Sequence, residues 1–245
     1  MMSEMTGQIS LISRLKQRYN IEAINVCGRE ALEKSGMQTG CYNFMYNYIK
    51  ENFKDIEWIA YIDIDEFFDF NSMKANQFLA QDKFKDVDEI HLNWKCYGDN
   101  DLVHYEPRPV MERFTKPLPI DAVYSTKFMR PGTYLNSHVK SIVRVNDRFI
   151  GFDTPHTAFF KNCKCVNGVG IPVDGTSPWQ LINYDGGCVK HYLTKSTEEF
   201  IKRKLSNNSR ATDSLISNID EEINNYFNIN TKTYSKLELI TTNHL

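Results

Sequence analysis

A chain of 245 residues with 41% apolar and 24% charged side chains is long enough for one sizeable core and has the composition of an ordinary globular protein. Its formal net charge of −2 excludes a global field that would gather nucleic acid or an anionic membrane surface. No stretch approaches the roughly 20 apolar residues of a spanning helix, and the opening MMSEMTGQIS lacks the charged-then-apolar order of a secretion signal; the expectation is a cytoplasmic protein, held peripherally at the inner face of the membrane where a partner provides the contact.

In chain order, residues 4–18 read as a helix with Met5, Ile9 and Ile12 on one face, and residues 21–26 as a strand. A loop runs from Gly28 to Gly36. Residues 37–53 follow a helical period through Met37, Cys41, Phe44, Met45, Tyr48 and Ile49. Trp58-Ile59-Ala60-Tyr61-Ile62 is a nearly continuous apolar run, the pattern of a central strand covered on both faces. This α-β-α-β opening predicts a layered α/β domain with parallel strands. A helix is expected over 74–83 and a strand over 88–97, broken at Gly98.

Residues 98–160 change character. Pro107, Pro109, Pro117, Pro119 and Pro131 interrupt the chain, β-rich pieces occupy 124–130 and 138–145, and no helical period stands out. Such an irregular β region suits the building of a binding pocket. A short strand is expected at 187–192. Ser196 and Glu199 have the S-x-x-E spacing of a capping box, which starts a helix near residue 197. A further amphipathic helix covers about 213–227, and the polar tail is expected to fray. The boundaries drawn are 1–205 for the main domain and 206–245 for a helical extension.

The six cysteines are Cys27, Cys41, Cys96, Cys163, Cys165 and Cys188. None forms a C-x-x-C pair, and the lone C-x-C of Cys163 and Cys165 lacks a second ligand pair at zinc-site spacing, so they read as free thiols of a reducing compartment. Asp63-Ile64-Asp65-Glu66 stands out. Carboxylates directly after an apolar strand are costly unless they are paired or bind a cation. With strand geometry carried through the segment, Asp63 and Asp65 face one side, where two carboxylates can hold a hard divalent ion against a diphosphate.

Trp58-Ile-Ala-Tyr-Ile-Asp-Ile-Asp-Glu-Phe-Phe68 resembles the D-x-D block of glycosyltransferase family 92 and of related family-2-like bacterial transferases. Four more segments match in order. Gln38 with Tyr42 resembles the Q-x-x-x-Y element. Leu92 to Gly98 resembles the tryptophan-to-glycine strand, and His138 to Arg144 the H-V-K-S-I-V-R strand. Lys190 to Phe200 resembles the H-Y-x-x-K-S-x-E-E-F block. The matches span about residues 38–204.

The resemblance implies a GT-A-like mixed sheet flanked by helices, with a β-rich irregular middle and a helical C-terminus. It implies a nucleoside-diphosphate sugar donor, UDP by default, a glycan or glycolipid acceptor, and Mn2+ or Mg2+. It assigns Asp63 to the nucleotide and Asp65 to the metal, with His191 as a further metal ligand and His156 as the second choice. Lys140, Lys195 and Gln38 join Asp63 in donor binding. The family's first βα unit, with its N-E-x-x-x-x-x-E-W and D-N-x-S-x-D elements, has no counterpart in the residues given.

Inverting transfer needs one carboxylate base. Asp99, Asp153, Asp174 and Asp185 lie in suitable loops, and Asp153, before Pro155-His156, is favoured. The alternative reading is a degenerate, non-catalytic nucleotide-sugar-binding protein. A phosphoryl-transfer enzyme is a weaker rival, because no G-x-x-x-x-G-K-[ST] loop occurs. The basic run of Lys190, Lys195, Lys202, Arg203 and Lys204 reads as the exposed side of a helix. The Asn-, Lys- and Ile-rich composition suits a bacterium with an AT-rich genome, and with the resemblance the expected role is in surface-polysaccharide synthesis.

Overall fold

The computed structural model describes residues 14, 16–18, 37–123, 134–207 and 216–230. The expected strand at 21–26, the β piece at 124–130, Cys27 and nearly all of the expected helix over 4–18 lie outside these residues.

The architecture is mixed α/β. Helix α1 (Met37–Asn52) precedes β1 (Trp58–Ala60) and β2 (Glu66–Asp69). A short helix α2 (Ala75–Leu79) and a 3-10 turn (Asp82–Phe84) lead into the long β3 (Glu89–Cys96). Helix α3 (Val110–Arg113) falls in the stretch expected to be free of helix; it is a single turn, too short to leave a periodic signal. Then come β4 (Val139–Arg144), β5 (Phe149–Phe152), β6 (Ala158–Phe160), β7 (Cys165–Asn167) and β8 (Cys188–His191). Helices α4 (Thr197–Asn207) and α5 (Ile216–Ile229) follow. No helix among the described residues is long and apolar enough to cross a membrane.

The main sheet runs β1-β4-β3-β8-β2, with β7 also on β3; β5 and β6 form a separate hairpin. Only the β3/β8 and β3/β7 pairs are parallel, while β1/β4, β3/β4 and β2/β8 are antiparallel. The sheet is therefore mixed, not parallel. β7 pairs with the start of β3 and β8 with its end, so both lie on the same side of that strand at different heights.

β1 ends the strand path among the described residues, where a central strand was expected. Its apolar run has a specific cause. Trp58 packs against the main core, which includes Phe78, Phe84, Ile90, Leu92 and Val189, and its ring lies under the Arg144 guanidinium at 4.1 Å. Ile59, facing the other way, joins a second core around Tyr46, Val143, Phe152 and Phe160. One short strand thus serves two apolar clusters.

The buried face of α1 is Tyr42, Tyr46 and Ile49, rotated from the predicted stripe. Aromatic residues surround this helix, so the period alone does not select the inner side. Tyr46 is the deepest: its hydroxyl donates to the Arg144 carbonyl at 2.9 Å and accepts from the Asn146 amide at 2.9 Å. A buried tyrosine that reaches polar partners is a normal core residue.

The capping box before α4 forms as expected. Glu199 Oε2 accepts from the Ser196 amide (3.2 Å) and hydroxyl (2.7 Å), and Ser196 Oγ accepts from the Glu199 amide (3.3 Å). Arg113 adds a two-pronged contact to Glu199 at 2.6 and 3.1 Å. Helix α5 packs on the rest of the fold. Tyr226 donates to Asp99 Oδ2 at 2.6 Å and lies 2.9 Å from Thr197 Oγ1, and Ile229 enters the main core.

Candidate functional site

The strand geometry of β1 stops at Ala60, and the D-x-D residues form a turn closed by the Glu66 amide donating to the Asp63 carbonyl at 3.0 Å. Ile64 sits at its tip, 97% exposed. A turn, unlike a strand, sends Asp63 and Asp65 to different partners. The strand alternation expected to put both carboxylates on one side does not extend to them.

Asp63 belongs to the first group. Its Oδ1 accepts from Gln38 Nε2 (3.1 Å), and its Oδ2 accepts from Lys140 Nζ (3.0 Å). Gln38 also meets the Tyr42 hydroxyl at 3.0 Å. The Lys140 ammonium reaches Glu66 Oε2 at 3.3 Å, and that oxygen also accepts from the Asp63 amide at 2.8 Å. Glu66 and Lys140 are almost wholly buried, whereas the Asp63 side chain is part-exposed. Burial pulls the Lys140 pKa down, but the Glu66 and Asp63 carboxylates outweigh it and hold the ammonium charged. The three predicted donor residues Gln38, Asp63 and Lys140 therefore form one hydrogen-bonded unit.

Asp65 gathers the second group. Lys195 Nζ lies 3.5 Å and Arg203 Nη1 3.9 Å from Oδ2, and His191 Nε2 lies 3.9 Å from Oδ1. β2 and β8 bring this about, since Glu66 pairs with His191 across the sheet. The Asp65 carbonyl also accepts from the Tyr192 amide at 3.0 Å. Lys195 has φ of +56°, a left-handed conformation that a non-glycine residue adopts at a cost. Burial, followed by the Lys140 charge, lowers the His191 pKa to about 3, so the imidazole is neutral near pH 7.

A neutral imidazole and a carboxylate suit a divalent ion. Two donor atoms each about 2.1 Å from one ion lie no more than about 4.2 Å apart, and the 3.9 Å between Asp65 Oδ1 and His191 Nε2 is inside that limit. His191 Nδ1 is buried without a hydrogen-bond partner among the described residues, so the usual second contact that fixes a ligating imidazole is missing. The described residues supply two donors in this arrangement, Asp65 Oδ1 and His191 Nε2. Phosphate oxygens and water would fill the other positions of a six-coordinate ion.

An aromatic wall stands beside these groups. The Trp94 ring lies 4.3 Å from His191, 4.8 Å from His138 and 5.3 Å from His156. His156 Nδ1 meets the Val139 carbonyl at 2.9 Å, and burial lowers its pKa to about 4. His138 in turn lies 5.3 Å from Trp179. Trp179 lines a cleft of about 500 Å³ with Ile120, Tyr134, Ser137, Gln180, Leu181 and Ile182.

Asp153 is exposed just past β5, and no hydrogen bond or ion pair joins it to the Asp63–Glu66 turn among the described residues. Asp99 is a buried anchor for Tyr226, and Asp174 accepts from the Thr176 amide and hydroxyl in a local turn. Two residues given no role from the sequence belong to the site. Glu66 is the buried partner of Lys140. Arg203, expected on an exposed helix side, turns inward, donates to the Leu193 carbonyl at 3.0 Å and reaches Asp65. The spacing held a clue: Arg203 is three residues after Phe200, which is buried, whereas Lys202 is four after Glu198 and pairs with it on the outside.

Neither a protein-family model nor a curated protein nor a solved structure matches this chain.

Proposed function

We propose that the chain is a metal-dependent glycosyltransferase of GT-A type that takes a nucleoside-diphosphate sugar, by default a UDP-sugar, and acts on a glycan or glycolipid acceptor in bacterial surface-polysaccharide synthesis. One observation carries this reading. Separate segments bring Gln38, Lys140, His191, Lys195 and Arg203 onto one turn that bears Asp63 and Asp65. The five ordered resemblances include all of these positions except Arg203.

In this reading Asp65 and His191 hold the cation, Mn2+ or Mg2+, whose chemistry is to neutralise the leaving diphosphate. Lys195 and Arg203, already beside Asp65, meet phosphate oxygens; a guanidinium and an ammonium suit them as fork and point charge. Gln38 and Lys140 fix the Asp63 carboxylate, leaving its part-exposed side toward the nucleotide. The Trp94 wall leads to the Trp179 cleft, which offers the acceptor an apolar floor with polar edges. Asp153 is the proposed base on position in the chain alone.

The second reading, a nucleotide-sugar-binding protein without turnover, is favoured by Asp153, which makes no hydrogen bond or ion pair to the turn among the described residues. The deciding experiment follows UDP-sugar binding and turnover with and without manganese. Metal-dependent binding that Asp65→Ala abolishes supports the common site, and turnover selects the enzyme. Binding indifferent to both metal and Asp65 overturns both readings.

A further inference from the structure

A second cluster of ligand-type side chains sits on a different part of the sheet. Glu89 and His91 are two apart on β3 and so share a face, and Cys165 on β7 is the registered partner of Glu89. All three are buried, and one donor atom from each lies within 4.8 Å of the others. Cys163 brings its Sγ to 4.0 Å from Glu89 Oε2. We propose that Glu89, His91, Cys163 and Cys165 hold a structural zinc ion. This does not depend on the glycosyltransferase reading.

The strongest support is His91. Its side chain is fully buried, yet neither ring nitrogen has a hydrogen-bond partner among the described residues. Nε2 is 3.1 Å from Glu89 Oε1, close enough for an ion pair but off the direction of a hydrogen bond. Buried imidazole nitrogens normally find a partner, and a metal ion accepts the lone pair that no protein donor here meets.

The carboxylate is prepared in the complementary way. Oε1 of Glu89 accepts from the Ser141 hydroxyl at 2.6 Å and the Ala158 amide at 2.8 Å. Those contacts fix the group and leave Oε2, the oxygen nearer Cys163, to bind. Outer hydrogen bonds of this kind orient metal-ligating carboxylates. Two sulfurs, one imidazole and one carboxylate make a four-donor set whose softness favours zinc over magnesium or calcium. Bonds of about 2.3 Å to sulfur and about 2.0 Å to nitrogen or oxygen place tetrahedral ligands about 3.3–3.8 Å apart; the Glu89, His91 and Cys165 donors, within 4.8 Å of one another, and Cys163 Sγ, 4.0 Å from Glu89 Oε2, would draw together around the ion.

Gly175 covers the cluster. A Cβ there would stand 3.0 Å from Cys165 Cβ, 3.3 Å from Cys163 Sγ and 3.5 Å from Glu89 Oε2. The ion would staple β7 to β3 beneath this covering segment. It is distinct from the carboxylate turn. Lys140 and Ser141 are successive β4 residues facing opposite sides of the sheet; the first meets Asp63 and the second meets Glu89. The C-x-C pair, read from sequence as lacking a second ligand pair, finds its partners in Glu89 and His91 across the strand register.

The test is the metal content of the full chain, purified without a polyhistidine tag and without chelator from zinc-supplemented cells. The expected result is about one zinc ion per chain, lost in Cys165→Ser and in His91→Ala and retained in Asp65→Ala. Because the buried variants can fail to fold, cobalt(II) replacement in the unaltered protein provides a second readout. Thiolate-to-cobalt charge-transfer absorption with tetrahedral ligand-field bands is expected, diminished in the exposed-site variant Cys163→Ser. Zinc-free protein with no thiolate band on cobalt addition overturns the proposal, as does zinc that persists in both folded Cys165→Ser and His91→Ala.

Discussion

The Lys140 ammonium lies 3.3 Å from Glu66 Oε2 with both side chains removed from solvent, and the same ammonium reaches the part-exposed Asp63. A buried charge pair is weak evidence for stability, because desolvation offsets much of its attraction; breaking it on one side is costly. Lys140→Met should therefore destabilise the protein by about 3–5 kcal/mol in urea unfolding, since it strands Glu66. Lys140→Met with Glu66→Gln should recover much of that loss. Equal stability of the single and double variants would show that the pair does not act as a unit.

Protonation of the buried histidines should weaken the fold in acid. His191 titrates at about 3 and His156 at about 4 in the folded chain, both lowered first by burial, against about 6.5 in an unfolded one. Below pH about 6.5 the unfolded state therefore binds protons that the native state refuses. Stability is level above that pH with respect to these groups. It falls as pH drops toward 4 and then 3, by about 1.4 kcal/mol per pH unit for each group at full effect. His191→Asn should reduce the slope of this acid limb, whatever it does to stability at pH 7. An unchanged slope in chemical denaturation between pH 6.5 and 4 would remove His191 from the account.

Arg203 and Lys202 are adjacent in sequence and have opposite surroundings. Arg203→Ala should weaken binding of UDP with manganese by about tenfold, the scale of one charge-assisted contact. Lys202→Ala, which loses an outward pair with Glu198, should leave it unchanged. Calorimetry on the two variants checks this. Similar effects from both would mean that the charge of the helix matters and the position of Arg203 does not.

Much of the local structure is legible along the chain. The apolar run before Asp63, the strand at Glu89–Cys96, the Ser196/Glu199 cap and the last helix all express patterns a few residues long. Gln38, Asp63 and Lys140 meet one another, as do Asp65, His191 and Lys195, although they come from segments far apart in the chain. The turn that separates Asp63 from Asp65 is less legible, because a short polar segment after a strand carries no period that tells where extension stops.

Capping and side-chain alternation act over a handful of neighbours, so the chain alone marks which polar residues stand out and roughly where helices and strands lie, but not where each one stops. The tertiary structure decided the rest. Antiparallel pairing of β1 with β4 set one short strand between two apolar clusters. The inner face of α1 followed from what packed against it, since its aromatic residues leave the helical period ambiguous. The β3/β7 register put Cys165 beside Glu89, 76 positions apart in the chain, and made a candidate metal cluster from residues with no local motif. Side chains that meet only across strands leave no short-range signature, because their proximity is a property of pairing and not of spacing.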